Sequence, residues 1–296
     1  MHVVNSKRAG QVFVLAAYVT ALLAALAIGR TLVGIHPIWI AALADIAATL
    51  VVFAFSVAFD NSSVYDPYWS VAPLPIAIYW AASASAFGFR QLLILVLLAI
   101  WGARLTANWA LRWRGPADED FRYVEIRGKT GRGYWPASFI AIHLLPTLWV
   151  FLGLLPIFPA LERPGFAMLD IAAALVTALA IAIETIADHQ LRCYLRSSHD
   201  AGRVLDSGLW SLCRHPNYLG EILFWWGLFL FGLAADPGWI WSIVGPLAIT
   251  LLFVFVSVPW MDRRMVSRHP AWAEHMKKTP ALLPWPRNLR SWVTMR

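Results

Sequence analysis

Eight apolar runs that carry few or no charges dominate this chain, at about residues 11 to 29, 38 to 59, 70 to 88, 91 to 109, 137 to 159, 166 to 187, 218 to 234 and 239 to 260. A helix needs roughly 20 such residues to cross about 30 Å of hydrocarbon, and in lipid each backbone N–H and C=O must find its partner within the chain. Runs of this length restrict the fold to an all-α bundle of membrane-spanning helices. The composition agrees: 59% of the residues are hydrophobic, against roughly 45–50% in a soluble domain. The seventh run is short, and the third and fourth are divided only by Arg90 and Gln91, so seven spans plus a re-entrant hairpin is the other reading.

Charge placement favours eight. Lys and Arg concentrate in cytoplasmic loops. Eight spans with both termini cytoplasmic put Lys7 and Arg8, six residues from Arg112 to Arg132, four from Arg192 to Arg214 and eight after Trp260 on the inner face. An odd number of spans breaks that pattern. Topology and attraction to anionic headgroups thus account for the net charge of +7, and no nucleic acid is expected as a partner. The two cysteines, Cys193 and Cys213, fall on the same inner face, where thiols stay reduced, and make no metal framework. The first run is too long for a signal-peptide core, so the chain is read as starting near Met1. Trp39, Trp69, Trp109, Trp210, Trp239 and Trp260, near span ends, suit interfacial belts.

With no repeat or long hydrophilic linker, the chain reads as one membrane domain, and its polar chemistry falls at the inner face. In ETIADHQLRCYLR, Glu184, Asp188, Arg192 and Arg196 recur every four residues and share one helical face. One reading is a salt-bridge ladder along an emerging helix. The other is a ligand site, because Glu184 is expected inside the bilayer, where an ionisable group costs roughly 2.5–3.5 kcal/mol and usually faces a cavity or a partner. Downstream, DSGLWSLCRHPNYLGEI turns at Asp206–Gly208 and enters a helix at Pro216. That helix start would aim free N–H groups, Arg214 and the Asn217 amide at one spot suited to an anion such as a phosphate. His215 belongs to the same string.

The strings ExxADxQLRxY, GLWxxxRHPNYLGE and TPALLPWP together resemble the C-terminal half of the steroid 5-alpha-reductase family, including its bacterial branch, from about 184 to 285. The likeness extends more loosely to WGARL at 101 to 105. RHPNYxG is shared with sterol reductases and, in part, with isoprenylcysteine carboxyl methyltransferases. The resemblance implies a multi-span enzyme, in a bacterial inner membrane, that binds NADPH from the cytoplasm among its C-terminal helices, over 137 to 296, with the substrate-side helices in 1 to 110. It places Asp188, Arg192, Asn217, Tyr218 and Glu221 among the cofactor contacts; Glu184 stands where several relatives have asparagine. Arg196, Arg214 and His215 complete the expected cofactor set. No GxGxxG follows a strand, so a dinucleotide site here is not a Rossmann one.

Relatives that reduce 3-oxo-4-ene steroids hydrogen-bond the enone oxygen with a glutamate and a tyrosine. Ungapped matching puts Asp66 on that glutamate and Trp101 on that tyrosine, and no glutamate precedes Glu119. An aspartic acid kept protonated by burial could serve, with Tyr65 or Tyr68 as second donor. The other reading of DPYW is a helix break at the membrane surface. The expectation is thus an NADPH-dependent reductase of an activated C=C bond in a hydrophobic, steroid- or lipid-like enone that enters from the bilayer. The rivals are an S-adenosylmethionine-dependent methyltransferase and a non-catalytic lipid-binding relative. The tail after Trp260 reads either as a segment folded over the site, with Arg263, Arg264 and Arg268 near phosphates, or as a polybasic stretch lying on lipid.

Overall fold

The computed structural model describes residues 6–197 and 204–283. Arg203, Arg287, Arg290, Arg296 and the last three residues of TPALLPWP lie outside the described residues. In chain order the helices are α1 Lys7–Thr31, α2 Pro37–Phe59, α3 Pro73–Ala82, α4 Phe89–Arg112, α5 Phe121–Leu154, α6 Met168–Arg196, α7 Pro216–Ala235, α8 Pro237–Arg268 and α9 Ala271–Lys278. No strand occurs among the described residues. All of these except α3 and α9, seven in number, are long and apolar enough to cross a membrane. The protein is a multi-pass helical membrane bundle.

The run at 70 to 88, expected as a full span, is the one that differs. Its helix is α3, preceded by the short turn Tyr68–Val71 and ended before Ser83. From Tyr68 to Ala82 the helical rise is about 22 Å, short of the roughly 30 Å hydrocarbon thickness. Proline is the local cause: Pro67 stands at the N-cap of the turn and Pro73 at the first position of α3, where their missing N–H groups cost least. The chain still changes sides across this segment. Asp60 pairs with Arg127 at one end of the bundle, whereas the Trp80 indole donates to Pro37 O at the other.

Contacts fix both ends. The basic end joins Lys7 to Leu111 O at 3.0 Å and Arg214 to Asp262 at 2.7 Å. The opposite end joins Arg90 to Asp170 and Arg163 to Asp236, each at 2.7 Å. The chain therefore passes between the ends eight times, the third time by the short route, and Lys7 and Arg268 lie at the same end. Arg90 and Arg163 lie at the opposite end from most of the basic residues, as the charge pattern requires.

Close approach of helices carries the packing. α6 and α7 make the most extensive helix pair, and a Cβ built on Gly220 would sit 2.9 Å from Ala180 O, one on Gly227 3.0 Å from Thr177 N. Only glycine lets these backbones come so near, which is how helices gain contact in lipid without a hydrophobic driving force. Two π-helical stretches, Phe139–Leu144 and Phe253–Ser257, lie just ahead of Pro146 and Pro259, whose rings displace the preceding turn. Of the tryptophans expected in belts, Trp39 is exposed, but Trp69 packs edge-on to Trp101 and Trp210 is buried with its indole on Ala187 O, because each finds an inward partner.

Candidate functional site

Glu184, Asp188 and Arg192 share one face of α6, as their spacing demands, but their partners lie across the groove on α4. Arg104 donates to Asp188 at 2.8 Å and also to Glu184. Asn108 gives its amide N–H to Asp188 and accepts from Arg192 through its oxygen. Arg104 and Asn108 are themselves four residues apart, so two polar stripes face each other. The intrahelical ladder is not what forms here: an acid on α6 gains more from a cation held rigidly on α4 than from a flexible arginine one turn away. Toward the basic end this groove opens into a cleft of about 180 Å³ lined by Arg112, Arg192 and Arg196.

α7 supplies the third wall. Gly220 lies against Glu184, and around it stand Asn217, Tyr218 and Glu221. Glu221 is buried and accepts the indole N–H of Trp225 at 2.8 Å and that of Trp101 at 3.1 Å. Trp101 is stacked on Phe224, ring centroids 4.4 Å apart. Its N–H is thereby committed to Glu221 and faces no other oxygen. Tyr218 stacks on His215, with Arg112, Arg122 and Asp120 within electrostatic reach. In this chamber Arg104 Nε, Glu184 Oε1 and Asn217 Oδ1 are buried with no hydrogen-bond partner. Each unsatisfied buried polar atom costs roughly 1–3 kcal/mol, and more on a charged group.

Arg214 and His215 take part in a different cluster. The Arg214 guanidinium clasps Asp262 of α8 through Nε at 3.3 Å and a terminal nitrogen at 2.7 Å, and its other terminal nitrogen donates to the carbonyl oxygens of Thr279 and Met276. His215 Nε2 and the Trp272 indole both reach Asp262 Oδ1 at 3.0 Å. Backbone bonds finish the latch: Arg214 N to Pro280 O at 2.8 Å and His215 N to Ala281 O at 3.0 Å. The tail does fold back, held by its backbone and by buried Trp272. Arg264 lies over the Phe121 ring at 3.5 Å. Burial pushes the neighbouring Cys213 thiol up to about 11, leaving it inert at neutral pH.

The residues expected at the substrate end part company. Tyr65 bonds Thr147 at 2.8 Å, itself 2.9 Å from Thr49. Tyr68 turns into the bundle and donates to Asp45 of α2 at 2.8 Å. Neither tyrosine hydroxyl bonds to Asp66. Instead Tyr123, at the start of α5, donates to Asp66 Oδ1 at 2.6 Å, next to the Arg122–Asp120 ion pair. Burial, reinforced by Asp120, pushes the Asp66 carboxyl up to about 7. DPYW does break the helix at this surface, so the structural reading and the acid reading coexist. Asp66 and Tyr218 share Arg122 and Asp120 as neighbours, which sets Asp66 beside the chamber.

Arg104, Asn108, Asp262, Tyr123 and Asp45 were not singled out in the sequence. The i, i+4 pair of Arg104 and Asn108 in an otherwise apolar helix was the signal for the first two, the mirror of Glu184 and Asp188. Asp45, alone amid the second run, carried the default signal of an ionisable group at membrane depth. Nothing local marks Asp262 as the hub for a residue 48 positions away.

Comparison with known proteins adds a little. An uncharacterised protein of Schizosaccharomyces pombe, C594.04c, is 24% identical over 263 residues, covering 79% of this chain and 76% of its own length. No solved structure matches. The family model described as "Protein of unknown function (DUF1295)" spans residues 52–279, from the end of α2 through Asp66, the chamber and the latch to Thr279, and the chain belongs to that family.

Proposed function

We propose that the protein is a membrane-embedded, NADPH-dependent reductase of a conjugated C=C bond in a hydrophobic enone. The observation that carries this reading is the chamber between α4, α6 and α7, where Arg104 Nε, Glu184 Oε1 and Asn217 Oδ1 are buried and unpaired. The donor set fits a phosphorylated dinucleotide. Arg112, Arg192 and Arg196 line the open end and suit phosphate oxygens. The Glu184 and Asn217 oxygens are acceptors deeper in, matched to ribose hydroxyls or a carboxamide N–H. When bound, NADPH supplies a hydride.

The chain's own groups would do the rest. Arg104 pairs with both Glu184 and Asp188, and Arg112 and Arg192 offset the charge that remains, so the carboxylates repel a phosphate at the rim less. Glu221, held by two indoles, fixes the Trp101–Phe224 stack as an apolar wall. The Asp66 carboxyl, raised to about 7 by burial and Asp120, holds its proton in part of the molecules near neutral pH, and in that form donates a hydrogen bond to a substrate carbonyl and steadies the negative charge that develops there. Tyr123 orients that carboxyl. The resemblance to steroid 5-alpha-reductases supports the reaction class, and the bilayer position supports a steroid- or lipid-like substrate.

The test is NADPH oxidation by purified protein with a panel of hydrophobic enones, repeated on Asp66→Asn and Asp45→Asn. Turnover abolished by Asp66→Asn alone supports the assignment. Loss confined to Asp45→Asn moves the acid to the Asp45–Tyr68 pair. Thermal stabilisation by S-adenosylmethionine and not by NADPH would replace the reductase with a methyltransferase. NADPH binding with no turnover for any enone would leave a non-catalytic relative.

A further inference from the structure

A second cleft, of about 540 Å³, opens at the basic end on the far side of the latch, between α8 and α9. Its walls are Val258, Pro259, Val266 and Met276, and its floor is the Arg214–Asp262 pair. That floor offers a ligand little, because Asp262 already accepts from Arg214, His215 and Trp272, and Arg214 is spent on Asp262 and on tail carbonyls. The polar group that still reaches solvent is Arg263, exposed at the rim, within electrostatic reach of Glu125 but in no ion pair closer than 4 Å among the described residues. The site thus presents an apolar trough with a single cation at its mouth. Only a ligand with an apolar body and an anionic head complements both.

Depth in the bundle says where such a ligand comes from. α8 runs as lipid-facing apolar helix through Phe255, which is 69% exposed, and turns basic at Arg263 and Arg264. Trp260, between them, is of the type that settles at headgroup level. The trough therefore spans the boundary of acyl chains and phosphates, on the face that carries most of the Lys and Arg. Its volume lies within the roughly 300–1,000 Å³ of sites that hold small molecules.

We infer that this cleft is a binding site for an anionic phospholipid of the adjoining leaflet, one acyl chain lying along Val258, Val266 and Met276 and the phosphodiester on Arg263. The inference stands apart from the dinucleotide chamber, with which it shares no lining residue. Occupation braces α9 against α8 and so tightens the tail latch.

The experiment is native mass spectrometry and thermal unfolding of the full chain in detergent, titrated with phosphatidylglycerol, phosphatidylcholine or inorganic phosphate. Phosphatidylglycerol should give a retained one-to-one adduct and a rise in Tm, and phosphatidylcholine should not. Arg263→Gln, an exposed change that leaves the latch intact, should weaken the adduct about fivefold, the worth of one basic residue near an anionic surface. Arg132→Gln, an exposed arginine elsewhere at the same end, should leave it unchanged. Equal retention of both lipids, equal effects of the two substitutions, or displacement of the lipid by millimolar inorganic phosphate would each overturn the inference.

Discussion

The chamber and the latch flank the first turn of α7, draw on the same residue types, and treat their polar atoms in opposite ways. In the latch, Asp262 accepts from three side chains and each nitrogen of the Arg214 guanidinium donates. In the chamber, an arginine nitrogen, a carboxylate oxygen and an amide oxygen are left buried and unmatched. Trp109, His269 and His275 also each have one unmatched ring nitrogen, but each is a single atom on a separate ring, whereas two of the three chamber atoms sit on a guanidinium and a carboxylate. Folding alone does not favour the chamber's arrangement. The difference teaches where to look for a ligand: a satisfied polar cluster holds the chain together, and an unsatisfied one waits for a partner.

The sharpest way to break the comparison is Asp262→Ala. Removing one member of a buried charge cluster strands Arg214 and His215, and stability should fall by about 3–5 kcal/mol, read as a large drop in Tm in detergent. Unchanged Tm would mean the latch is ornamental. Next comes Gly220→Ala, whose added methyl collides with Glu184 and the α6 backbone. Overpacking should cost about 1–3 kcal/mol, and NADPH affinity should fall with it because Glu184 is displaced.

Asn217→Ala acts on one side only. Its oxygen has no partner to lose and its removal relieves a buried unmatched acceptor, so Tm should hold or rise, while NADPH affinity drops roughly tenfold for one hydrogen bond to a phosphorylated ligand. A fall in Tm without a fall in affinity would make Asn217 a structural residue. The smallest expected effect is in pH. The Asp66 carboxyl is raised in the folded protein to about 7, so the folded state holds its proton more tightly than the unfolded chain. That contribution is complete below pH 4 and is lost as pH rises through 7. Asp66→Asn should flatten the decline of Tm between those limits, and wild-type turnover should fall above pH 7.

Much of this was legible in the sequence because two periodicities carry it. Apolar runs near 20 residues gave the spans, and basic residues gave the end of the bundle at which they gather. Only the third run misled, since Pro67 and Pro73 shorten its helix without making it less apolar. The four-residue spacing of Glu184, Asp188 and Arg192 correctly put them on one face, but spacing along one helix cannot say whether the partner is its own next turn or Arg104 on another helix. Arg214 shows the same limit more severely. A motif that reads as an anion clasp is used on Asp262, and which carboxylate reaches it first is decided by how α8 and the tail pack. Trp101 likewise looked free to donate, and only the fold brings Glu221 to its indole.

The central claim is that the unmatched atoms of the chamber belong to a dinucleotide site. Equilibrium dialysis of the folded, detergent-solubilised full chain against NADPH tests it most directly, with Asn217→Ala and Arg192→Gln in parallel. One saturable site per chain in the wild type, weakened in both variants while Asp45→Asn binds normally, is the predicted result. Wild-type protein that is folded and takes up no NADPH would contradict it.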